Sequence, residues 1–132
     1  MIPEDLRYTE EHEWIRQEGE LLVVGVTHFA QDQLGDIVFV ELPEVGKQLQ
    51  AGGTFGVVES VKTVSDLFVP VSGEVADRNQ RLLEDSPDFE PALINSDPYG
   101  AGWMIKIKPE KPGDANGLLS AQAYAEHIEG EE

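Results

Sequence analysis

Short apolar runs of strand length, separated by turn-forming residues, recur along most of the sequence and constrain its fold. Runs of roughly four to eight residues between such turn signals are typical of β-strands. The predicted strands lie at 21–26, 36–42, 54–60, 63–69, 74–77 and 103–107. A further strand around Trp14 and Ile15 is only weakly patterned, and Trp103 begins the strand at 103–107, so we expect both tryptophans to be core residues. The pattern predicts a mainly β fold.

Short helices are predicted beside these strands. Thr27 is a residue type that caps a helix N-terminus, and Gly35 suits the left-handed conformation that ends a helix. Apolar residues at helical spacing predict a C-terminal helical tail at about 117–129, in which Ser120 is a candidate cap of a separate helix. Residues 81–91 are acidic and contain two prolines, which indicates a loop.

Length and charge limit the number of domains and the classes of partner. The 132 residues fit a single domain spanning 1–132. The chain has 26 acidic and 9 basic residues and a net charge of −17, which repels nucleic-acid phosphates and anionic lipids. Since no run of about 18 apolar residues exists and the N-terminal segment lacks the apolar core of a signal peptide, we expect a cytoplasmic protein that binds neither nucleic acid nor membrane.

Few residues are arranged for catalysis or for metal binding. The chain has no cysteine, which excludes disulfides and thiolate chemistry. The histidines, His12, His28 and His127, show no metal-ligand spacing, and the acidic residues at 84–90 lack the spacing of a cation-binding loop. Gly52-Gly53 belongs to no nucleotide-binding motif. We therefore expect no catalytic residue, no metal site and no enzymatic activity.

Lys62 lies between two predicted strands, at the tip of a hairpin at about 54–69. The Asn-Gly and Asp-Gly pairs that favour short hairpin turns are absent there. The four-carbon stem of a tip lysine projects its amine into solvent, and acylation of that amine would create a long flexible arm within reach of several enzymes. Lysines at exposed turns are common, so position alone favours an unmodified, solvated side chain.

Four ordered blocks of sequence make the interpretation of this lysine more specific. They are YTEEHEW at 8–14, VGVTHFAQDQLGDIVFVELPEVG at 24–46, FGVVESVK at 55–62 and INSDPYGAGWMIKIKP at 94–109. Together they resemble the glycine cleavage H-protein family over nearly the whole chain. Lys62 falls at the position of the lysine that this family modifies.

The resemblance implies a lipoyl/biotinyl hammerhead-type β-sandwich with short flanking and C-terminal helices, and lipoate bound covalently to Lys62 through an amide. It implies a non-catalytic shuttle that takes the aminomethyl group of glycine from a pyridoxal-phosphate glycine decarboxylase to a tetrahydrofolate-dependent aminomethyltransferase. A flavin dihydrolipoyl dehydrogenase would reoxidise the arm, and a lipoate ligase or lipoyl transferase would attach it. A monomer suits this role.

The resemblance also implies a surface cleft that shelters the loaded arm. Glu13 and Asp66 match positions associated with that cleft, where a carboxylate would hydrogen-bond the amine of the aminomethyl group. The alternative for both residues is a solvated surface acid. The sequence departs from the family pattern at His28, at Val69 and in the longer loop at 81–91, which affects the details of the cleft and the fit of partners.

Three other interpretations remain open from the sequence. A lipoyl relay or donor protein serving other lipoyl enzymes would use the same hairpin. In an unmodified binding module, Lys62 is only a turn residue and the acidic surface docks a partner. A biotin carrier is disfavoured because methionines usually flank its lysine, whereas Val61 and Thr63 flank Lys62.

Overall fold

The chain folds mainly into β-strands. The structure, a computed structural model, describes residues 2–111 and 113–130. The strands of these residues are β1 (Arg7–Tyr8), β2 (Glu13–Glu18), β3 (Leu21–Val26), β4 (Ile37–Glu41), β5 (Gln48–Leu49), β6 (Thr54–Ser60), β7 (Val64–Phe68), β8 (Gly73–Arg78) and β9 (Ile105–Pro109). Their helices are α1 (His28–Leu34), α2 (Leu93–Ser96) and α3 (Ala121–Glu129), with 3-10 turns at Gln80–Leu82 and Asp114–Gly117. The mainly β prediction is confirmed.

Two sheets share one apolar core. The larger sheet has the strand order β1-β2-β3-β9-β8-β5 and the smaller has the order β4-β6-β7. Buried residues of both sheets form a single cluster, among them Leu22, Val24 and Ile107 from the larger sheet and Val58 and Leu67 from the smaller. The cluster therefore joins the two sheets, as in a β-sandwich.

The larger sheet is buried on both faces along β3. Leu22 and Val24 belong to the core between the sheets, whereas Val23 belongs to a second cluster that includes Tyr124 of α3. Successive side chains of a strand point to opposite faces, so an apolar run without alternation needs cover on both sides. Helix α3 provides that cover on the outer face.

Helix α1 begins as the sequence predicts and ends differently. The Oγ1 atom of Thr27 accepts a hydrogen bond of 3.2 Å from the backbone N–H of Ala30, which confirms the N-cap. Gly35 ends the helix with φ +84° and ψ −161°. The positive φ agrees with the prediction, but the predicted left-handed helical conformation is wrong because ψ is extended and turns the chain directly into β4.

The C-terminal tail is shorter than predicted. The Oγ atom of Ser120 caps α3 by accepting from the N–H of Ala123 at 3.1 Å, so the separate helix predicted there is confirmed. The predicted helix at about 117–129 is wrong before Ala121. Leu119 is extended and exchanges two backbone hydrogen bonds of 2.9 Å with Tyr8. These bonds satisfy the backbone N–H and carbonyl of Tyr8 on the free edge of β1, and this pairing takes the place of a helix at Leu119.

The two tryptophans occupy different environments. Trp14 is fully buried, its ring lies over Gly25, and its Nε1–H donates to the Pro98 carbonyl at 2.8 Å. Trp103 precedes β9 and is only half-buried, with the Lys106 amine 5.2 Å from its ring centre. The predicted strand at 103–107 therefore starts two residues too early, and the core prediction holds for Trp14 but not fully for Trp103.

The predicted loop at 81–91 is confirmed, with a 3-10 turn at its start that places Leu82 in the core. Its ends are held together by a hydrogen-bonded ion pair of 2.9 Å between Arg81 and Glu90.

Within residues 2–111 and 113–130, no helix is long and apolar enough to cross a membrane.

Candidate carrier site

Lys62 is exposed at the tip of the β6–β7 hairpin. The two strands pair antiparallel, with Glu59 opposite Val64 and Val57 opposite Asp66. The connection between the strands is the three residues at 61–63. This geometry places the lysine at the outermost point of the smaller sheet, where its amine is accessible.

A buried serine takes the place of the absent Asn-Gly turn. The Ser60 hydroxyl oxygen accepts hydrogen bonds from the N–H groups of Lys62 at 3.2 Å and Thr63 at 3.1 Å. The backbone N–H of Ser60 donates to the Thr63 carbonyl at 2.8 Å. A serine side chain that binds nearby backbone N–H groups stabilises a turn, which explains why Ser60 precedes the tip. Sequence analysis did not identify this role of Ser60.

The tip rests on the end of α1. The N–H of Val61 donates to the Asp36 carbonyl at 3.0 Å. A Cβ added to Gly35 would lie 2.8 Å from the Cε atom of Lys62, so the lysine stem passes over the glycine backbone. The stem therefore does not simply point away from the protein, as the sequence suggested. It lies where a Cβ atom at position 35 would stand.

Asn95 of α2 holds this end of α1 in place, a role that sequence analysis missed. Its side-chain amide donates to the Gly35 carbonyl at 2.8 Å and to the Gln31 side chain at 3.0 Å. Its oxygen accepts from the N–H of Ile37 at 2.9 Å. One side chain thus connects α1, α2 and the start of β4 beneath the hairpin tip.

Exposed valines surround the lysine. Val61 and Val64 flank it on the hairpin, with 69% and 61% of their surface exposed. Val38 is also exposed and lies at the point where the pairing of β4 with β6 shifts register, between Ile37 and Phe39. Exposed apolar side chains beside an accessible amine suit a surface that a modifying enzyme contacts.

A cleft next to the hairpin brings the two predicted acidic residues together. This cleft, called the acidic cleft below, has a volume of about 310 Å³ and lies between α1, the start of β2 and the hairpin. Its apolar lining consists of Val26, Phe29, Ala30, Leu34, Val58 and Leu67. Its carboxylates are those of Glu11, Glu13 and Asp66. An apolar cleft with carboxylates suits a hydrocarbon arm that ends in an amine.

Glu13 is buried, so it is not a solvated surface acid. Its carboxylate accepts hydrogen bonds from the Thr9 hydroxyl at 2.7 Å and from the backbone N–H of Phe68 at 3.1 Å. Burial raises the pKa of Glu13 to about 7, because removal from water disfavours the charged form more than these two hydrogen bonds favour it. Glu13 also links β2 to the end of β7, across the two sheets.

Asp66 occupies the other side of the acidic cleft and is exposed. It therefore differs from the buried Glu13, because Asp66 lines the cleft and is also open to solvent.

Two of the histidines meet in space. The rings of His12 and His127 lie 5.7 Å apart although the residues are distant in sequence. Among the described residues, no group of three His, Cys, Asp or Glu side chains is placed to hold a metal ion.

The chain matches one known protein family along nearly its whole length. The family model described as glycine cleavage H-protein matches residues 6–131. The chain belongs to the glycine cleavage H-protein family. It is 56% identical over 128 residues to a glycine cleavage system H protein of Magnetococcus marinus, covering 97% of this chain and 88% of that one. It is 53% identical over 129 residues to the H protein of Bacteroides thetaiotaomicron, covering 98% of both chains.

A solved structure shows the same fold. The crystal structure of a glycine cleavage system H protein from Mycobacterium marinum superposes with a TM-score of 0.85 at 43% identity, covering 97% of this chain and 99% of that chain. The predicted β-sandwich with short helices is confirmed by this likeness. The family also confirms the predicted function class, a non-catalytic carrier component rather than an enzyme.

Membership of the H-protein family identifies the cofactor of the chain and its partner enzymes. H proteins carry lipoate covalently on a lysine and move the aminomethyl group of glycine from glycine decarboxylase to aminomethyltransferase. Dihydrolipoyl dehydrogenase is a further partner, and lipoate ligase acts as the modifying enzyme. The accessible lysine and the apolar, carboxylate-bearing cleft of this chain fit such an arm.

Proposed function

We propose that Lys62 is the lysine that carries lipoate in this chain, within a single lipoyl-carrier domain spanning 1–132. The observation that carries the proposal is the position of Lys62 at the tip of a paired hairpin, exposed and flanked by the exposed Val61 and Val64. A ligase or transferase needs an unprotonated amine that it can enclose, and a projecting tip satisfies that need without unfolding the carrier. Family membership favours this shuttle role over the relay and unmodified-module alternatives.

We further propose that the acidic cleft shelters the loaded arm. Bound lipoate supplies the sulfur that accepts the aminomethyl group. Apolar walls that include Phe29 and Leu34 exclude water from the hydrocarbon part of the arm, while Glu13 and Asp66 bind its terminal ammonium group. A nearby positive charge favours the ionised form of a carboxyl, so an arriving ammonium lowers the pKa of Glu13 and strengthens its own binding.

Glu13 is fixed in orientation before the arm arrives. Its two hydrogen-bond donors, the Thr9 hydroxyl and the Phe68 backbone N–H, come from different segments of the chain. A carboxylate held from two sides loses little conformational freedom when it binds a ligand, which favours binding. Asp66, by contrast, is exposed and adjusts to the ligand.

The experiment that tests the modified lysine is mass spectrometry of the purified chain after incubation with lipoate, ATP and a lipoate ligase. We expect a mass increase of one lipoyl group on the peptide that contains Lys62. The modified chain should also focus at a more acidic pH, since the amide removes one positive charge from the net charge of −17.

The control for this experiment is a second exposed lysine. Lys62→Arg should abolish the modification and fold normally, because an exposed tip side chain contributes little to packing. Lys47→Arg changes an equally exposed lysine outside the hairpin and should be modified like the unchanged chain. Modification of Lys62→Arg, or its loss in Lys47→Arg, would contradict the assignment.

The cellular location and assembly state complete the proposal. We propose that the chain works as a monomer in the cytoplasm, a proposal supported by its acidic surface and by a shuttle role that requires successive encounters with separate enzymes. Cell fractionation and light scattering test the two statements. Recovery in a membrane fraction, or a stable dimer at micromolar concentration, would contradict them.

A further inference from the structure

One buried hydroxyl connects the two walls of the acidic cleft. The Tyr124 side chain of α3 is fully buried, and its hydroxyl oxygen lies 2.8 Å from Nδ1 of His12 and 2.7 Å from Oγ1 of Thr27. Both contacts join residues that are far apart in sequence. Both are short enough for strong hydrogen bonds.

The two residues that Tyr124 contacts belong to different walls. His12 lies between Glu11 and Glu13 and lines the cleft itself. Thr27 caps α1, whose residue Phe29 lines the adjoining wall. The walls also meet directly, since the Thr27 N–H donates to the His12 carbonyl at 3.0 Å and the His12 and Phe29 rings lie 5.0 Å apart.

The backbone of the acidic wall is held in an uncommon conformation. His12 has φ +71°, in the left-handed region that residues other than glycine rarely adopt. Such a conformation persists only where surrounding contacts determine it. The bond from Tyr124 to the His12 ring is one of these contacts, and the His12 N–H bond of 3.1 Å to the Thr9 carbonyl is another.

Helix α3 has further anchors besides the Tyr124 hydroxyl. The Tyr124 ring stacks on the Tyr8 ring with centres 4.7 Å apart and planes at 9°. The Ser120 cap fixes the start of the helix, and an imidazole nitrogen of His127 lies 3.0 Å from the Glu10 carbonyl. The hydroxyl of Tyr124 is therefore presented from a helix that is held by contacts at several points.

We propose that Tyr124 is a positioning residue that fixes the junction between two adjoining walls of the acidic cleft and thereby the protection of the loaded arm. The residue does not touch the arm. Its hydroxyl adds two side-chain bonds to the backbone bond and ring contact that join the Glu11–Glu13 wall to the start of α1. The proposal rests on the function proposed above, in which the cleft shelters the aminomethyl group.

The bridge is maintained for either state of the His12 ring. When Nδ1 carries a proton, it donates to the Tyr124 oxygen, and the Tyr124 proton goes to Oγ1 of Thr27. When Nδ1 is unprotonated, the Tyr124 hydroxyl donates to it and accepts from the Thr27 hydroxyl. In both arrangements Oγ1 of Thr27 still accepts from the N–H of Ala30, so the cap of α1 is kept.

The loss that the cleft prevents is hydrolysis of the aminomethyl group. Water adds its oxygen to the methylene carbon, the carbon–sulfur bond breaks, the sulfur recovers a proton, and formaldehyde and ammonium leave. No oxidation or reduction occurs. Tyr124→Phe keeps the ring stacked on Tyr8 and removes both bridging bonds. We expect hydrolysis about fivefold faster, equivalent to about 1 kcal/mol, the typical net value of a hydrogen bond.

The test measures formaldehyde release from the loaded holo chain after its separation from glycine decarboxylase. Tyr8→Phe is the matched control, because it removes the hydroxyl of the stacked partner, which donates to the Pro3 carbonyl at 2.5 Å and not to a residue of the cleft. Thr27→Ser keeps the bridging hydroxyl and should release at the unchanged rate.

A second readout uses the unmodified chain. Amide hydrogen exchange at Thr27 reports the bond between the two walls, and we expect it to be about fivefold faster in Tyr124→Phe than in Tyr8→Phe. If Tyr124→Phe and Tyr8→Phe release formaldehyde at the same rate and exchange the Thr27 amide at the same rate, the role proposed for Tyr124 is overturned while the sheltering cleft stands. If the unchanged loaded chain releases formaldehyde as fast as the same chain unfolded in urea, the sheltering cleft and the role of Tyr124 are both overturned.

Discussion

Replacement of Glu13 by glutamine should change how the stability of the chain depends on pH. The Glu13 carboxyl is 2% exposed in the folded chain, and its pKa rises from an ordinary value of 4.5 to about 7. A raised carboxyl pKa means that the folded chain binds the proton more tightly than the unfolded chain. Its contribution to stability is therefore complete below pH 4.5 and is lost as the pH rises through about 7.

The size of the effect follows from the two pKa values. At about 1.4 kcal/mol for each pH unit, the difference between 4.5 and about 7 corresponds to about 3 kcal/mol in the free energy of unfolding. About 2 kcal/mol of this loss falls between about pH 5.5 and 8.5, a range that avoids the isoelectric region where such a chain associates. Glutamine keeps the shape of the side chain but does not ionise, so Glu13→Gln should lack this component.

The assay is urea unfolding of the unmodified chain at several pH values across that range. The free energy of unfolding of Glu13→Gln, minus that of the unchanged chain, should rise by about 2 kcal/mol from the lowest to the highest pH. Glu20→Gln removes one exposed carboxylate and controls for the change in net charge. Parallel pH profiles for Glu13→Gln and the unchanged chain would refute the reasoning that burial controls this carboxyl.

Two further substitutions test the packing that supports the hairpin. Gly56→Ala should destabilise the chain by about 3 kcal/mol in urea unfolding, because the added methyl group overlaps the Glu41 carbonyl oxygen of the neighbouring strand. Gly117→Ala, where the methyl group meets open space, is its control, and equal stability of the two variants would contradict this account. Asn95→Ala should cost about 3 kcal/mol, since it removes three hydrogen bonds and leaves the Ile37 N–H without its acceptor. Unchanged unfolding and an unchanged rate of lipoylation in Asn95→Ala would show that Asn95 does not support the tip.

The function was accessible from sequence through the resemblance of four ordered blocks to one family, because the position of Lys62 alone favours an unmodified turn lysine. The hairpin and its exposed tip follow from the strand patterns at 54–60 and 63–69. The assignment of Lys62 itself stays a prediction. The acidic cleft, by contrast, is assembled from three separate segments of the chain, so the sequence indicated Glu13 and Asp66 only through the family resemblance.

The sequence by itself determined the local features of this protein: the mainly β character, the caps at Thr27 and Ser120, the loop at 81–91 and the exposed hairpin lysine. These features depend on residues within a few positions of one another, where periodicity and capping chemistry are informative. It failed at Leu119, because a strand partner distant in sequence took the backbone hydrogen bonds that a helix would have used.

Only the tertiary structure decided how the cleft is built. Burial raises the pKa of Glu13, and one hydrogen bond that partly offsets this rise comes from a Phe68 N–H that is 55 positions away. The contacts of the Tyr124 hydroxyl with Thr27 and His12 span 97 and 112 positions. Burial and long-range hydrogen bonds are properties of the packed chain, because a side chain's environment comes from whichever segments fold against it and not from its sequence neighbours.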